Sequence, residues 1–374
     1  MEKPKVLIVY HFIALYRKAI FDELIKSEKY DYTFLCDSTG KDNIEVVDSK
    51  FFQNKKYIKV RNRYFKNILW QQGLIKHILF NKYDAIIFLA DPNFLSTWIA
   101  SIICKIKNQK VLFWTHGFIR GKSAKDKLKL IFYKLADKIL LYGDKAKNRL
   151  ILNRVPANKL ATIYNSLDYN THKHFREITD IDNLKLFQNP NLPQIIFIGR
   201  LTKQKKLTQL IELIVALNNK GLKINLLFVG DGEERKNLEN LTKKYNIEEQ
   251  IHFYGKTYNE KEIAPLIMSS DVCISPGEIG LTAMHVLSYG VPVITHDNEL
   301  RQMPEYEAII NGKNGRLYKY GNFDSLVEES IKFFKSDKNN IKQNCIKIIE
   351  ERYTPQAQKK FIENSLDEIL KDNK

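Results

Sequence analysis

The stretch Ser275–Asp297, SPGEIGLTAMHVLSYGVPVITHD, runs a glycine-interrupted loop into a short apolar helical segment and then into a second apolar run. A helix N-terminus carries unpaired backbone N–H groups and a partial positive charge, so a loop entering one is a ready anion site. Gly280, without a Cβ, lets the backbone come close to a ligand. The plainer reading is that Gly280 and Gly290 punctuate a helix between two buried strands. Neither reading accounts for His285, the one histidine inside the helical run.

The same alternation extends along the chain. Short apolar runs (KVLIVY, YTFLC, AIIFLA, KVLFWTH, KILLYG and LATIYN, then QIIFIG, INLLFVG, IHFYG, VCISPG and VPVITHD) are separated by amphipathic segments. LTQLIELIVALNNKG repeats its apolar residues at three- and four-residue spacing and stops at Gly221. Strand–helix alternation predicts parallel sheets in an α/β architecture. The polar, proline-containing segment Arg176–Pro193 divides the chain. The expected organisation is a first domain over 1–175, a linker over 176–192, a second domain over 193–352 and a terminal helix over 353–374. In that helix Thr354 is the N-cap and Pro355 the first position.

The chain has 374 residues, 44% of them apolar, enough for two or three domains. No apolar run approaches the ~20 residues of a membrane span. Lys3 and Lys5 ahead of an apolar segment resemble a signal peptide, but no small-residue cleavage site follows, so the segment reads as a first buried strand. The four cysteines are scattered, which excludes a CxxC metal or redox motif. Cys36, Cys104 and Cys273 sit in apolar runs, as reduced core residues of a cytoplasmic protein would.

The net charge of +17 is unevenly placed. Residues 1–175 hold 32 Lys and Arg against 15 Asp and Glu, whereas residues 176–374 hold 28 of each. Residues 51–150 alone hold 21 bases and 5 acids. Such asymmetry suggests a polyanion or an anionic membrane surface as a partner of the first half. A lysine-rich genome is the bland alternative, although it should not spare the second half.

Arg200 and Lys205 stand five apart where QIIFIG passes through a loop into a helix. Both are placed to reach the C-terminal edge of a sheet, where ligands of open α/β folds bind. Two cations there would hold a diphosphate and stabilise it as it leaves; the ordinary alternative is two solvated loop charges. A nicotinamide or flavin site is disfavoured, because the first strand runs into HFIALYRK with no GxGxxG. Asp180 and Asp182 form a DxD, but within the expected linker.

The order IGR-LTKQ-K, FVGDGEE, FYGK and SPGEIGLTAMHVLSYGVPVI resembles the donor half of retaining glycosyltransferases of family 4, which have the GT-B fold. WTHG (114–117), ADKILLYGDKAKNRLI and IYNSLD are similar to that family in the first half. The resemblance implies α/β architecture with two Rossmann-like domains facing across a cleft and a C-terminal helix crossing back to the N-terminal domain. It implies that Gly199, Arg200 and Lys205 grip the donor diphosphate and that the backbone of Gly280, Leu281 and Thr282 meets a phosphate. Gly255, Lys256 and Thr257 would lie near the nucleotide base, and His116 would reach the donor sugar. Arg200, Lys205 and His116 form the expected catalytic set; the reaction would retain configuration and need neither a catalytic metal nor a cofactor.

The family pattern also carries two glutamates eight positions apart. Here the second position is His285 and the first is Gly277, with Glu278 one step later. A neutral imidazole accepts a hydrogen bond from a ribose hydroxyl, so His285 would substitute there, and Glu278 would serve the sugar. In the first half, His11, Tyr16 and Arg17 are candidates for acceptor binding. Tyr64, Phe65, Ile68, Leu69, Trp70, Ile75, Ile78 and Leu79 interleave with Arg61, Arg63, Lys66 and Lys76. They read either as an amphipathic helix on an anionic membrane or as an ordinary core-facing helix.

The leading expectation is a peripheral cytoplasmic enzyme with three partners: a nucleotide sugar, a glycan or lipid-linked acceptor, and an anionic membrane. A GT-B nucleotide-sugar epimerase and a non-catalytic relative are the alternatives. Nucleic acid is not an expected partner, because no recognised binding motif accompanies the charge.

Overall fold

A computed structural model describes residues 2–41, 44–47, 56–117, 123–181 and 184–370. The chain forms two compact units, residues 1–168 with 353–374, and residues 169–352. Among the described residues, nine strands belong to the first unit: β1 Lys5–Phe12, β2 Asp31–Asp37, β3 Tyr57–Lys59, β4 Arg61–Phe65, β5 Ile68–Gln72, β6 Ala85–Leu89, β7 Lys110–Thr115, β8 Lys138–Leu141 and β9 Leu160–Thr162. Six belong to the second: β10 Gln194–Ile198, β11 Asn225–Val229, β12 Ile251–Gly255, β13 Val272–Ser275, β14 Val293–His296 and β15 Gly315–Tyr318. The helices are α1 Lys18–Ile25, α2 Leu74–Phe80, α3 Leu95–Ile106, α4 Ala124–Tyr133, α5 Asp144–Leu152, α6 Tyr169–Ile178, α7 Thr208–Asn219, α8 Arg235–Lys244, α9 Glu260–Met268, α10 Thr282–Ser288, α11 Phe323–Lys335, α12 Ile341–Arg352 and α13 Pro355–Leu370.

The first sheet has the order β3-β2-β1-β6-β7-β8-β9 and the second β12-β11-β10-β13-β14-β15; the strand pairs within both are parallel. Two-sided burial is why the central strands read as unbroken apolar runs. Along β1, Val6, Ile8 and Tyr10 enter a core shared with Ile20 and Leu24 of α1 and Ile362 and Leu366 of α13. Leu7 and Val9 enter the opposite core, with Leu74 and Ile78 of α2, Ala100 and Cys104 of α3 and Phe132 of α4. Helices therefore cover both faces of this sheet. All four cysteines are buried and unpaired. None of the described helices is long and apolar enough to cross a membrane.

The terminal helix begins as the sequence implies, with Thr354 Oγ1 accepting from Ala357 N at 3.1 Å. It packs within the first unit, where Gln358 Nε2 donates to Tyr164 O at 2.5 Å and Ser166 Oγ donates to Gln358 Oε1 at 2.7 Å.

Two expectations need correction. The segment read as an amphipathic helix is instead the antiparallel hairpin β4–β5, with Arg63 opposite Trp70 and Phe65 opposite Ile68; only Leu74–Phe80 is helical. Its burial has a period of two, with Leu69 and Gln71 inside and Ile68, Trp70 and Gln72 outside. The domain boundary also falls earlier than Phe175. Helix α6 runs through the expected linker start and packs on α9 and α10 in the second unit. Asp182 of the DxD lies outside the described residues.

Candidate functional site

The second sheet grows to one side of β10 through β11 and β12, then to the other through β13, β14 and β15. The crevice beyond the carboxyl ends of β10 and β13 is thus its topological switch point. Gly199 and Arg200 follow β10, and Ser275–Gly280 follow β13. Arg200 is exposed. Lys205 is mostly buried; its Nζ donates to Glu278 O at 2.6 Å, and Glu278 Oε1 lies 3.7 Å away. Burial lowers the Lys205 pKa; the Glu278 charge opposes that shift and the Arg200 cation adds to it. Both cations stand in the loop that leaves β10 at one sheet edge, where a bound diphosphate would offset their charge.

The loop after β13 explains the departure at Gly277. A Cβ there would lie 2.7 Å from Lys205 Cα and would also overlap Gln204 O, while Gly277 N donates to Lys205 O at 3.0 Å. The two loops touch backbone to backbone, so no glutamate fits at 277. Glu278 supplies the carboxylate next to Lys205. Thr282 Oγ1 donates to Ile198 O at 3.1 Å and pins the start of α10 to the end of β10. Leu281 occupies the N-cap position, after Gly280 with φ of +54°. The Gly255–Lys256–Thr257 segment ends β12, and Thr257 Oγ1 donates to Glu262 Oε2 at 2.7 Å. Lys256 Nζ lies 4.9 Å from the centre of the Tyr258 ring. These two side chains serve their own turn, which leaves the backbone as what the segment offers a ligand.

His285 has a partner that the sequence does not reveal. Its Nε2 lies 2.8 Å from Glu260 Oε1, which also accepts from Tyr289 OH at 2.6 Å. A carboxylate only accepts, so Nε2 carries the hydrogen that meets Glu260. The ring stacks on His172 of α6 at 4.7 Å, and Ser288 Oγ sits 3.0 Å from His172 Nδ1. Burial works to raise the Glu260 pKa, but the hydrogen bond and charge of His285, with help from His172 and Tyr289, hold it at about 2. Burial and the neighbouring His285 push His172 down to about 3. His172, Glu260 and His285 bring one potential metal ligand each to within 4.8 Å of one another. Hydrogen bonds among these side chains and their neighbours account for the arrangement. Sequence gave no signal for Glu260 or His172, since the contacts join helices far apart in the chain.

In the first unit the switch point lies between β1 and β6, and a cavity of about 290 Å³ opens there. It gathers His11, Tyr16, Arg17 and His116, four residues singled out from sequence, along with Asp91 and Lys129, which were not. Arg17 is buried; it donates to Asn165 Oδ1 and Tyr142 OH, and its guanidinium lies 5.5 Å from the Trp114 ring centre and 4.9 Å from that of Tyr142. Burial and the Arg17 charge push His116 down to about 4. Burial, Arg17 and Lys41 do the same to His11, whose buried Nδ1 meets no hydrogen-bond partner among the described residues. Both imidazoles are neutral near pH 7, in a pocket walled largely by aromatic rings.

Residues 180–352 match the family Glycosyl transferases group 1. An uncharacterized glycosyltransferase of Haemophilus influenzae is 22% identical over 315 residues, covering 81% of each chain. The structure of the lipopolysaccharide outer core galactosyltransferase WaaB superposes with a TM-score of 0.70 at 17% identity, covering 97% of this chain and 99% of that one. The Anabaena protein HepE, solved with UDP, gives 0.68 at 15% identity with the same coverage. The fold is GT-B, and the matches support a glycosyltransferase of that type.

Proposed function

We propose that this chain is a retaining glycosyltransferase. It moves a sugar from a nucleotide-diphosphate donor to a lipid-linked, lipopolysaccharide or capsule glycan at the inner face of the cytoplasmic membrane. The observation that carries this reading is that Arg200 and Lys205 both follow β10 at the switch point of the second sheet, with Lys205 against Glu278 of the loop after β13, inside the segment that matches the family. Relatives support the donor class: HepE holds UDP, and WaaB is a galactosyltransferase of lipopolysaccharide.

In this reaction an acceptor hydroxyl attacks the anomeric carbon on the face that the diphosphate leaves. The bond to the phosphate oxygen breaks, and the hydroxyl proton passes to that oxygen. Arg200 and Lys205 stabilise the charge that develops there, so the step needs no catalytic metal. Glu278 faces the sugar, the Glu260–His285 pair offers acceptors to the ribose hydroxyls, and neutral His116 gives the sugar an uncharged hydrogen-bonding group. His11, Tyr16 and Arg17 line the acceptor pocket.

The test is a transfer assay on UDP- and GDP-sugars with lipid-linked and lipopolysaccharide-core acceptors, without and with magnesium, reading the new linkage by NMR. A retained anomeric configuration without magnesium is the expected result. Inversion, or strict dependence on magnesium, contradicts it. Donor consumed with no acceptor present would favour an epimerase.

A further inference from the structure

Helix α3, LSTWIASIICKI, is built inside out. Its small polar residues Ser96, Thr97 and Ser101 are buried, while Leu95, Ile99, Ile102 and Ile106 are exposed, Ile106 at 78%. Positions 95, 99, 102 and 106 recur at four, three and four residues, so they form one narrow stripe along the helix. The buried hydroxyls are used locally: Ser101 Oγ donates to Thr97 O at 2.7 Å, and Ser96 Oγ accepts from Gln71 N at 3.1 Å. A helix on a soluble protein normally reverses this polarity.

The neighbouring helix continues the surface. The ring of Trp98 in α3 lies 4.7 Å from that of Phe132 in α4, tilted by 39°, and α4 exposes Leu128 and Ile131. Lys127 and Lys134 bracket Ile131 at i−4 and i+3 on the same stripe, and both are exposed. The acid of this helix, Asp126, points inward and is buried. The outer surface of α3 and α4 is therefore apolar along its centre and cationic beside it.

We propose that this surface docks on an anionic lipid bilayer, with α3 lying in the plane of the interface. The proposal deepens the membrane-side reading above and rests on it. Twelve residues span roughly 18 Å, too short to cross a bilayer but suited to lying along one. Anionic headgroups complement the lysines, whereas the same face of a second copy would repel them.

The experiment is flotation of the full chain with vesicles of phosphatidylcholine alone or mixed with phosphatidylglycerol. Wild type is expected to float with the anionic vesicles. The double variant Ile99→Ser/Ile102→Ser should bind at least about 10-fold more weakly, since each isoleucine loses most of its transfer into the apolar phase. Lys127→Gln/Lys134→Gln should weaken binding only to anionic vesicles, and raised salt should mimic it. Ile102→Leu should bind as wild type does. Melting temperature and its response to UDP, GDP, dTDP and ADP act as controls for folding and for the donor site. Serine variants that float like wild type overturn the proposal, as does a wild type that ignores anionic vesicles. So does sedimentation showing self-association that the serine variants abolish. If none of UDP, GDP, dTDP and ADP stabilises the chain while flotation depends on α3, the transferase reading fails and the docking surface stands. If one of them stabilises and flotation is indifferent to α3, only the docking surface fails.

Discussion

The two units use one architecture to build opposite kinds of switch point. In the first, the crevice beyond β1 and β6 is walled by rings, holds a buried arginine and keeps two histidines neutral. In the second, the crevice beyond β10 and β13 is lined by glycine-containing loops that touch backbone to backbone, with one exposed and one half-buried cation at the rim. Under the proposal above, the first takes the hydroxyl-bearing acceptor and the second the donor phosphates. Chemistry is set by what the loops carry, since the parallel sheets beneath are alike.

The largest expected effects break the second crevice. Lys205→Ala and Arg200→Ala should each lower turnover about 10- to 100-fold, as expected for a lost charge-assisted contact of roughly 1.5–3 kcal/mol. Initial rates of transfer check this, and near-normal rates in both variants would refute the placement of the phosphate. Gly230→Ala tests the loop packing beneath: its Cβ would lie 2.9 Å from Gly199 C and overlap Gly199 O, at a φ of +141°. Destabilisation of about 2–4 kcal/mol is expected, read by urea unfolding.

In the first crevice, Arg17→Met removes a buried cation and its hydrogen bonds to Asn165 and Tyr142. The unit should lose about 1–3 kcal/mol, and the His11 and His116 pKa values should rise towards 6.5, seen by NMR titration. Unchanged histidine titration would show that the arginine does not set their charge.

A further effect is shared by both units. His11 and His116 fall from 6.5 to about 4 on folding, and His172 to about 3. Each lowered pKa leaves stability fully present above pH 6.5 and lost progressively as pH falls towards the folded value, because the unfolded chain binds more protons there. The melting temperature at pH 5 should be several degrees below that at pH 7.5. A flat profile would mean that these rings are not held neutral.

Much of the fold is legible in sequence because strands buried on both faces must be apolar throughout, as KVLIVY and QIIFI are. The Thr354–Pro355 start is legible because capping is local. The hairpin is not, since its period-two burial is hidden by basic and aromatic residues that look equally amphipathic as a helix. Helix α3 escaped notice for a related reason: composition shows an apolar helix but not which side faces water. Arg200 and Lys205 are readable from their place after a strand. The Glu260–His285 pair and the steric demand at Gly277 are not, because both arise from contacts between segments distant in the chain.

The central claim, a metal-independent diphosphate site made by Arg200 and Lys205, is tested most directly by thermal stabilisation with nucleoside diphosphates. UDP, GDP, dTDP and ADP would each be added with and without magnesium, to wild type, Arg200→Ala and Lys205→Ala. At about 100 times its dissociation constant a ligand adds roughly 2.7 kcal/mol, several degrees for a unit of this size. The account predicts a clear shift with one diphosphate, equal with and without magnesium, that is lost in both variants. No shift with any of them, or a shift that survives both substitutions, would contradict it.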